Sequence, residues 1–311
     1  MRSVSVVVPT IGRPESLRLM LDSIVRQVYP VNELIVADAS GEPDTRDLLM
    51  MVEPALPGCS VKWIRVESPN AAAQRDLAIR ASKSDFVFLV DDDVVLEDEC
   101  LEELVRSMSH GNDIVAACAS FADADWPMPA RLWRGYLRLV HRVRDGDWQG
   151  RVIGPLLRYG YHPMPTTDVP MEWVGGGNTL VRRESYLEVG GFSRFFLHPS
   201  TINEDVDLGI KLSRIGKVVL SPRALIRHER SAVRRSGERR SAEDDIYNRY
   251  QIMRQTQGRS SINAMSLLMT YFLVETASSI YSRVLGSDVS AFQLLIGRLS
   301  GLFKLARRKI D

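Results

Sequence analysis

Three consecutive aspartates, Asp91, Asp92 and Asp93, follow an apolar run at residues 86–90. Such a run ending in acids predicts a buried parallel strand whose carboxyl end carries the carboxylates, at the edge where open α/β sheets bind ligands. Asp91 and Asp93 point the same way along an extended chain, and two hard oxygen ligands on one side suit Mg²⁺ or Mn²⁺. The alternative is a solvated acidic turn ahead of the helix predicted at residues 97–109.

A second acidic group opens another predicted helix. Asn203 is a suitable N-cap, and Glu204, Asp205 and Asp207 follow it in the first turn. Acids at this end of a helix stabilise it, so capping is one interpretation. The other is a role in a functional site. The glycines at residues 175–177 support it, since they let backbone approach a ligand closely.

Composition sets the class of protein. The chain has 311 residues, 45% hydrophobic and 25% charged, which is ordinary for one or two globular domains. Its formal net charge of +1 gives no argument for a nucleic-acid partner, and we expect none. Cys59, Cys100 and Cys118 lack metal-site or disulfide spacing, and no signal peptide follows Met1. These features favour a reducing cytoplasm.

Strands and helices alternate through the first 120 residues. The predicted strands are residues 4–8, 34–37, 61–66, 86–90 and 114–119. The predicted helices are residues 15–27, 44–52, 71–81 and 97–109. This alternation predicts an α/β fold with a mostly parallel sheet flanked by helices. Because connections are right-handed, Thr10, Asp38, Asn70 and Asp91 are expected to meet at one edge of the sheet.

The pattern changes after residue 120. Residues 121–170 show no clear periodicity, which is typical of a mobile or substrate-shaped region. Near the C-terminus, arginines at 234, 235, 239 and 240 precede two apolar helical segments, and the second ends in basic residues at 307–309. The uncharged stretch between Arg259 and Glu275 is too short for a bilayer span. We predict amphipathic helices that pack on the catalytic domain and another subunit or lie on an anionic membrane face.

The motifs, taken in order, resemble family 2 glycosyltransferases of the GT-A fold. Matching segments run from residue 3 to about 230, and they lie at residues 7–14, 36–40, 70–76, 91–93, 175–178, 182–183, 190–192 and 204–208. One departure is Asp76, where the family more often has asparagine. Each motif is weak alone, whereas the ordered set is specific.

The resemblance implies three functional ranges. Residues 1–120 would bind the nucleotide sugar, residues 121–230 would bind the acceptor and catalyse transfer, and residues 231–311 would form the helical extension. The implied activity moves a sugar from a nucleotide-diphosphate donor, with UDP-sugars favoured, to a hydroxyl of a glycan or lipid-linked acceptor in cell-surface polysaccharide synthesis. A single displacement would invert the anomeric centre. The expected location is cytoplasmic, at the inner face of the membrane, with peripheral membrane contact or a homo-oligomer formed through the C-terminal helices.

The resemblance also assigns residues. Asp205 would be the general base, with Glu204 raising the negative potential beside it. Asp93 would lead the ligands of Mn²⁺ or Mg²⁺, with Asp91 bound directly or through water, and His228 as a third ligand. Asp38 would accept a hydrogen bond from a uracil-type base or the ribose. The full set expected at the donor is Pro9, Thr10, Arg13, Asp38, Asn70, Arg75, Asp91, Asp92, Gly176 and Asn178.

Each of these assignments has a plain alternative. Asp38 is also suited to a turn before Gly41, Arg75 to a surface salt bridge, and His228 to an ordinary surface position. Trp173 suits either stacking on a sugar or packing in the core.

Other functions remain open as well. A retaining GT-A enzyme would keep the metal motif but lack a base beneath the anomeric carbon. A sugar-phosphate nucleotidyltransferase would need a longer, glycine-rich basic loop than residues 9–14 provide. A non-enzymatic module that tethers a complex to the membrane has no use for two costly acidic groups.

Overall fold

The computed structural model describes residues 1–40, 44–122, 128–197, 201–229, 237–286 and 290–307. The strands are β1 (Val4–Thr10), β2 (Glu33–Asp38), β3 (Ser60–Arg65), β4 (Phe86–Val90), β5 (Val94–Leu96), β6 (Ile114–Phe121), β7 (Val152–Ile153), β8 (Leu157–Arg158), β9 (Val169–Met171), β10 (Asn178–Arg182) and β11 (Lys217–His228). The helices are α1 (Pro14–Val25), α2 (Asp44–Val52), α3 (Ala71–Ala81), α4 (Cys100–Ser109), α5 (Arg131–Val140), α6 (Arg183–Glu188), α7 (Glu204–Leu212), α8 (Glu238–Gln251), α9 (Ser261–Val284) and α10 (Ala291–Arg307).

The chain forms two compact units. The first comprises residues 1–125 and 163–233, and the second comprises residues 126–162 and 234–311. This division does not show which residues bind the donor and which bind the acceptor, so the three functional ranges stay predictions. Several residues named above lie outside the described part of the chain: Gly41, Arg234, Arg235, Arg308 and Lys309.

One mixed sheet organises the first unit. Its strand order is β3-β2-β1-β4-β10-β6-β11-β5, and β9 also pairs with β11. The ladders among β1, β2, β3 and β4 are parallel, as is β6 with β11. Strand β10 is antiparallel to both neighbours, and β5 and β9 are antiparallel to β11. The predicted parallel arrangement therefore holds for the first four strands, and the later strands make the sheet mixed.

Helices cover the sheet, so its central strands read as continuous apolar runs. Every residue of β1, β2 and β4 is buried. Pro9 lies beyond the last β1–β4 pair, Val7 with Leu89, and faces Ala37 of β2. The missing N–H of Pro9 therefore costs no bond to β4. Past this point β1 and β4 no longer pair, and the acidic triplet follows β4.

A carboxylate anchors the opposite end of these strands. Glu33, the first residue of β2, is 7% exposed. Its Oε2 accepts hydrogen bonds from Ser5 Oγ at 2.5 Å, Lys83 N at 2.7 Å and Ser84 Oγ at 3.1 Å. Lys62 Nζ lies 2.6 Å from Oε1. Burial alone would raise the pKa of Glu33, but these donors outweigh it and lower that pKa to about 2.

The second unit contains α5, the β7–β8 hairpin and helices α8, α9 and α10. Helix α5 lies within the stretch predicted to lack regular structure. The prediction is therefore wrong for residues 131–140, where Tyr136 and Leu137 are buried. On α10, Gly297 and Gly301 face α8, and a Cβ built at Gly301 would lie 2.7 Å from the carbonyl oxygen of Glu243. The absence of side chains at these glycines lets the two helices pack closely.

A buried arginine joins the parts of the second unit. Arg249 lies 2.9 Å from Asp245 and donates to the carbonyl oxygen of Leu156 at 3.0 Å. Its guanidinium stacks 4.2 Å from the centre of the Tyr271 ring. A buried charge is costly unless it is paired and hydrogen-bonded, as Arg249 is here. These contacts fix how α8 packs against α9 and the β7–β8 hairpin. Within the described residues, no helix combines the length and apolar character needed to cross a membrane.

Candidate functional site

The middle residue of the acidic triplet faces the loop after β1. Asp92 is 2% exposed, and its Oδ2 accepts a 2.7 Å hydrogen bond from Thr10 Oγ1. Arg13 approaches its Oδ1 at 3.2 Å. Burial raises the pKa of Asp92 to about 6, although Thr10 and Arg13 oppose the shift. Asp92 thus has a role that the sequence did not suggest, because it fixes the β1 loop against the triplet.

The third aspartate meets the end of β11. Arg13 donates to Asp93 Oδ2 at 3.0 Å, and His228 Nε2 lies 3.7 Å from Oδ1. The backbone N–H of Glu229 donates to the carbonyl oxygen of Asp93 at 2.8 Å. Burial raises the pKa of Asp93, against the opposing effect of His228. The structure therefore brings together two of the predicted metal ligands, Asp93 and His228.

Asp91 turns in a different direction, towards α3. Its Oδ1 accepts a short hydrogen bond from the guanidinium of Arg75, which also lies 3.2 Å from Glu204 Oε1. Arg75 is 3% exposed, so the alternative of a surface salt bridge is wrong. One guanidinium thus links the triplet to the first turn of α7, although Arg75 and Glu204 are 129 residues apart in sequence.

The predicted base lies on that turn. Asp205 Oδ1 accepts a hydrogen bond from the backbone N–H of Val206 at 2.8 Å. Burial, followed by the charge of Asp205, raises the pKa of Glu204 to about 8, although Arg75 opposes the shift. Asn203 occupies the N-cap position with a left-handed φ of 70° and makes no side-chain capping bond. Asn203 is therefore the N-cap residue, as expected, but its side chain does not cap the helix.

Glycines make room for these charged groups. A Cβ built at Gly176 would lie 3.2 Å from Arg75 and 3.3 Å from Glu204, and one at Gly177 would overlap the carboxylate of Asp91. The sequence suggested that the glycines admit a ligand. In the structure, their first effect is to leave space for the site's own side chains.

Asp38 lies at the end of β2 and is 1% exposed. Its Oδ1 accepts from the backbone N–H of Ser40 at 2.8 Å, as in the alternative turn role. Its Oδ2 accepts from Trp63 Nε1 at 3.1 Å. The sequence did not single out Trp63, although its place opposite Val36 in the β2–β3 ladder is a signal that strand pairing would have provided.

Helix α3 carries a second residue that the sequence analysis missed. Gln74 Nε2 donates to the carbonyl oxygens of Thr10 at 3.0 Å and Ala37 at 2.7 Å. Asn70 caps the helix, with Oδ1 accepting from Ala73 N at 2.8 Å. Asn70, which we predicted to bind the sugar donor, thus caps α3, and Gln74 bonds that helix to the ends of β1 and β2.

Two other residues singled out in the sequence, Asn178 and Trp173, make contacts within the fold. Asn178 Nδ2 donates to the carbonyl oxygen of Ala119 at 2.6 Å, which ties β10 to β6. Trp173 is 6% exposed, and Gly209 of α7 packs on its backbone. Core packing is therefore what the structure shows for Trp173. A donor contact by Asn178 stays a prediction.

The side chains that meet at Asp93 fit a divalent cation. A carboxylate and an imidazole converge there, and both are ordinary ligands of Mn²⁺. His228 Nδ1 is buried with no hydrogen-bond partner among the described residues, so the ring is not committed elsewhere through that atom. Among these residues no group of three His, Cys, Asp or Glu side chains would hold an ion by itself. The fit therefore requires further oxygens, such as those of a diphosphate.

Comparison with known proteins gives consistent matches. The model of glycosyl transferase family 2 matches residues 5–186. The O-antigen biosynthesis protein RfbC of Myxococcus xanthus is 27% identical over 251 residues, which cover 75% of this chain and 18% of RfbC. The poly(ribitol-phosphate) beta-N-acetylglucosaminyltransferase TarP of Staphylococcus aureus strain N315 is 29% identical over 114 residues, which cover 36% of this chain and 35% of TarP. The chain thus spans less than two thirds of the length of either relative.

A solved structure supports the fold. The mannosyltransferase PcManGT from Pyrobaculum calidifontis, in complex with GDP-Man and Mn²⁺, matches with a TM-score of 0.58 at 17% identity. The match covers 99% of this chain and 83% of that one. It confirms the predicted GT-A type of α/β fold, with helices following the sheet domain.

Proposed function

Because the chain belongs to glycosyl transferase family 2, we propose that it moves a sugar from a nucleotide-diphosphate donor to a hydroxyl of a glycan or lipid-linked acceptor. The names of RfbC and TarP favour a role in cell-surface polysaccharide synthesis. A place at the cytoplasmic face of the membrane is part of the same proposal. One observation carries the proposal. The acidic triplet contacts Arg13 and His228 on one side and, through Arg75, reaches Glu204 beside Asp205 on the other.

Two arginines would hold the diphosphate of the donor. The Nε atoms of Arg13 and Arg75 are both buried without a hydrogen-bond partner among the described residues. Buried donors of this kind are seldom left unpaired, and charged N–H groups bind phosphate oxygens strongly. Asp38 would accept from the base or ribose at the end of β2. These features favour a nucleotide diphosphate, with UDP-sugars as the first candidates.

Asp93 and His228 would hold the cation, Mn²⁺ or Mg²⁺, with Asp91 contributing directly or through water. When bound, such a cation neutralises the negative charge of the departing diphosphate. Asp91 also keeps Arg75 oriented, so its replacement would disturb both groups. The Mn²⁺ in the PcManGT complex supports the use of a divalent ion.

Asp205 would take the proton from the acceptor hydroxyl. Glu204 is held by Arg75 at 3.2 Å, which leaves the neighbouring carboxylate of Asp205 as the group available to accept a proton. Attack by the acceptor oxygen as the diphosphate leaves is a single displacement and inverts the anomeric centre. A retaining enzyme would give the opposite configuration, which NMR of the product distinguishes.

The test measures nucleotide diphosphate released from a panel of UDP- and GDP-sugars. We expect turnover with Mn²⁺ that EDTA abolishes and that falls about a hundredfold in Asp93→Asn. The control is Asp22→Asn, at an exposed aspartate on α1. Turnover unaffected by either EDTA or Asp93→Asn would contradict the metal assignment, and no turnover with any sugar would contradict the proposed function.

A further inference from the structure

Helix α9 is apolar on two opposite sides. Its buried residues, Ala264, Leu268 and Tyr271, face the other helices of the second unit. The opposite side carries a line of exposed apolar residues: Ile262, Met269, Leu273, Ile280 and Val284. Their spacing of i, i+7, i+11, i+18 and i+22 places them within one narrow stripe of an α-helix. An ordinary surface helix is polar on this side.

Helix α10 repeats the arrangement. Gly297 and Gly301 pack on α8, while Phe292, Leu299 and Phe303 are exposed on the other side. These three residues have the same i, i+7, i+11 spacing as the start of the α9 stripe. Phe292 is 67% exposed and Phe303 is 68% exposed. Two consecutive helices therefore leave large apolar side chains in water along matching stripes.

This exposure is concentrated in one unit. Of the 21 large hydrophobic residues exposed in the described part of the chain, 14 belong to the second unit, although it is the shorter one. Scattered exposed hydrophobics are normal on a soluble surface, whereas lines of them mark an interaction surface.

The charge of these helices indicates what covers them. Helices α5, α9 and α10 carry seven basic residues: Arg131, Arg134, Arg138, Arg283, Arg298, Lys304 and Arg307. Within the bounds of these helices the sole acid is Glu275, which Arg298 neutralises at 3.1 Å. Lys304 also has an acidic partner, because its Nζ lies 3.5 Å from Glu243 of α8. The other five basic residues still give the three helices an excess of positive charge. A second copy of the chain would bring the same basic residues towards each other. An anionic surface would instead attract them.

We propose that the exposed stripes of α9 and α10 bind the surface of an anionic lipid bilayer, with the apolar side chains at the boundary of headgroups and acyl chains. Apolar residues beside basic ones suit this boundary, and anionic lipids add electrostatic attraction. Helix α9 is about 36 Å long, so its stripe extends over several lipid headgroups. The proposal rests on the proposed function in one respect: an enzyme that acts on a lipid-linked acceptor would meet that acceptor at a bilayer.

Vesicle co-sedimentation of the full chain tests this surface. We expect binding to phosphatidylcholine vesicles that contain phosphatidylglycerol, weaker binding at high salt, and little binding to phosphatidylcholine alone. Leu273→Glu on α9 and Phe303→Glu on α10 should each weaken binding about tenfold or more, because each puts a charge where an apolar side chain would enter the bilayer. The matched control is Met51→Glu on α2, where the side chain is 75% exposed in the first unit. Thermal unfolding confirms that each variant is folded.

The outcomes separate the alternatives. Equal binding by Leu273→Glu, Phe303→Glu and Met51→Glu overturns the proposal, as does equal binding to vesicles with and without phosphatidylglycerol. A dimer in light scattering that Leu273→Glu dissociates, with vesicle binding unchanged, assigns the stripes to a second copy instead. Sedimentation uses no donor or acceptor, so its failure leaves sugar transfer untouched. Vesicle binding without transfer to any acceptor would sink only the proposed function.

Discussion

Arg13 donates a 3.0 Å hydrogen bond to Asp93, 80 residues further along the chain. The guanidinium therefore neutralises the carboxylate that we propose as the leading metal ligand. A cation and this arginine compete for the same charge, because each stabilises the ionised form of Asp93. In the proposed function, Arg13 would turn to the diphosphate when donor and metal bind together.

Removing Arg13 should separate metal binding from donor binding. We expect Arg13→Gln to bind Mn²⁺ about tenfold more tightly without nucleotide, because one opposing charge is lost. The same variant should bind UDP more weakly in the presence of Mn²⁺. Electron paramagnetic resonance of free Mn²⁺ measures the first effect and calorimetry the second. Arg18→Gln, at an exposed arginine on α1, is the control, and weaker Mn²⁺ binding by Arg13→Gln would oppose this explanation.

Asp205→Asn should remove the base and spare the donor site. We expect sugar transfer to fall by about 10²- to 10⁴-fold, which is the usual contribution of a general base. The dissociation constant of UDP with Mn²⁺ should not change. Glu184→Gln, at an exposed acid on α6, should retain full activity. A fully active Asp205→Asn enzyme would show that another group accepts the proton.

Gly177→Ala tests the crowded packing beneath the triplet. The added methyl group would overlap the Asp91 carboxylate and push it away from Arg75. We expect affinity for UDP with Mn²⁺ to fall about tenfold, the size of one charge-assisted hydrogen bond, while the protein stays folded. Gly135→Ala is the comparison, since its helical position on α5 has open space around it. Unchanged affinity in Gly177→Ala would mean that Asp91 has room to adjust.

Glu33 should make stability depend on pH. Its pKa is lower in the folded chain, about 2, than the ordinary value near 4.3. Such a group stabilises the fold above its unfolded pKa, and this stability is lost as the pH falls from there through about 2. Glu33→Gln should therefore lower the free energy of unfolding by about 2 kcal/mol at pH 7 and by less at pH 3.

Urea unfolding at both pH values measures the difference, with Glu53→Gln, at an exposed acid, as the control. A loss of the same size at pH 3 and pH 7 would argue that the Glu33 carboxylate is not the stabilising form.

Local patterns predicted much of the fold. Residues 44–52, 71–81 and 86–90 form the elements expected, because their apolar spacing and flanking residues agree with their burial. Strand β11 extends to His228, and its second half is held by pairing with β5. Pairing between distant strands leaves no trace in a local pattern.

The sequence predicted which residues form the site, and it did not predict their contacts with one another. Sequence motifs pointed to Arg75 and Glu204 separately, yet their pairing depends on where α3 and α7 meet in the fold. Arg13 and Asp92 were expected at the donor, and their mutual contact was not. Side chains such as Gln74 and Trp63 have no distinctive spacing, so only the folded structure reveals them.

Gln74 has a consequence for engineering. Its one amide group bonds both Thr10 and Ala37, so a single side chain fastens α3 to the ends of β1 and β2. The two strands are held to each other by the backbone ladder that runs to Thr10 and Asp38, whereas this attachment of α3 depends on one replaceable residue. A library at position 74 would therefore offer a direct way to shift α3 relative to these strand ends for a bulkier nucleotide base.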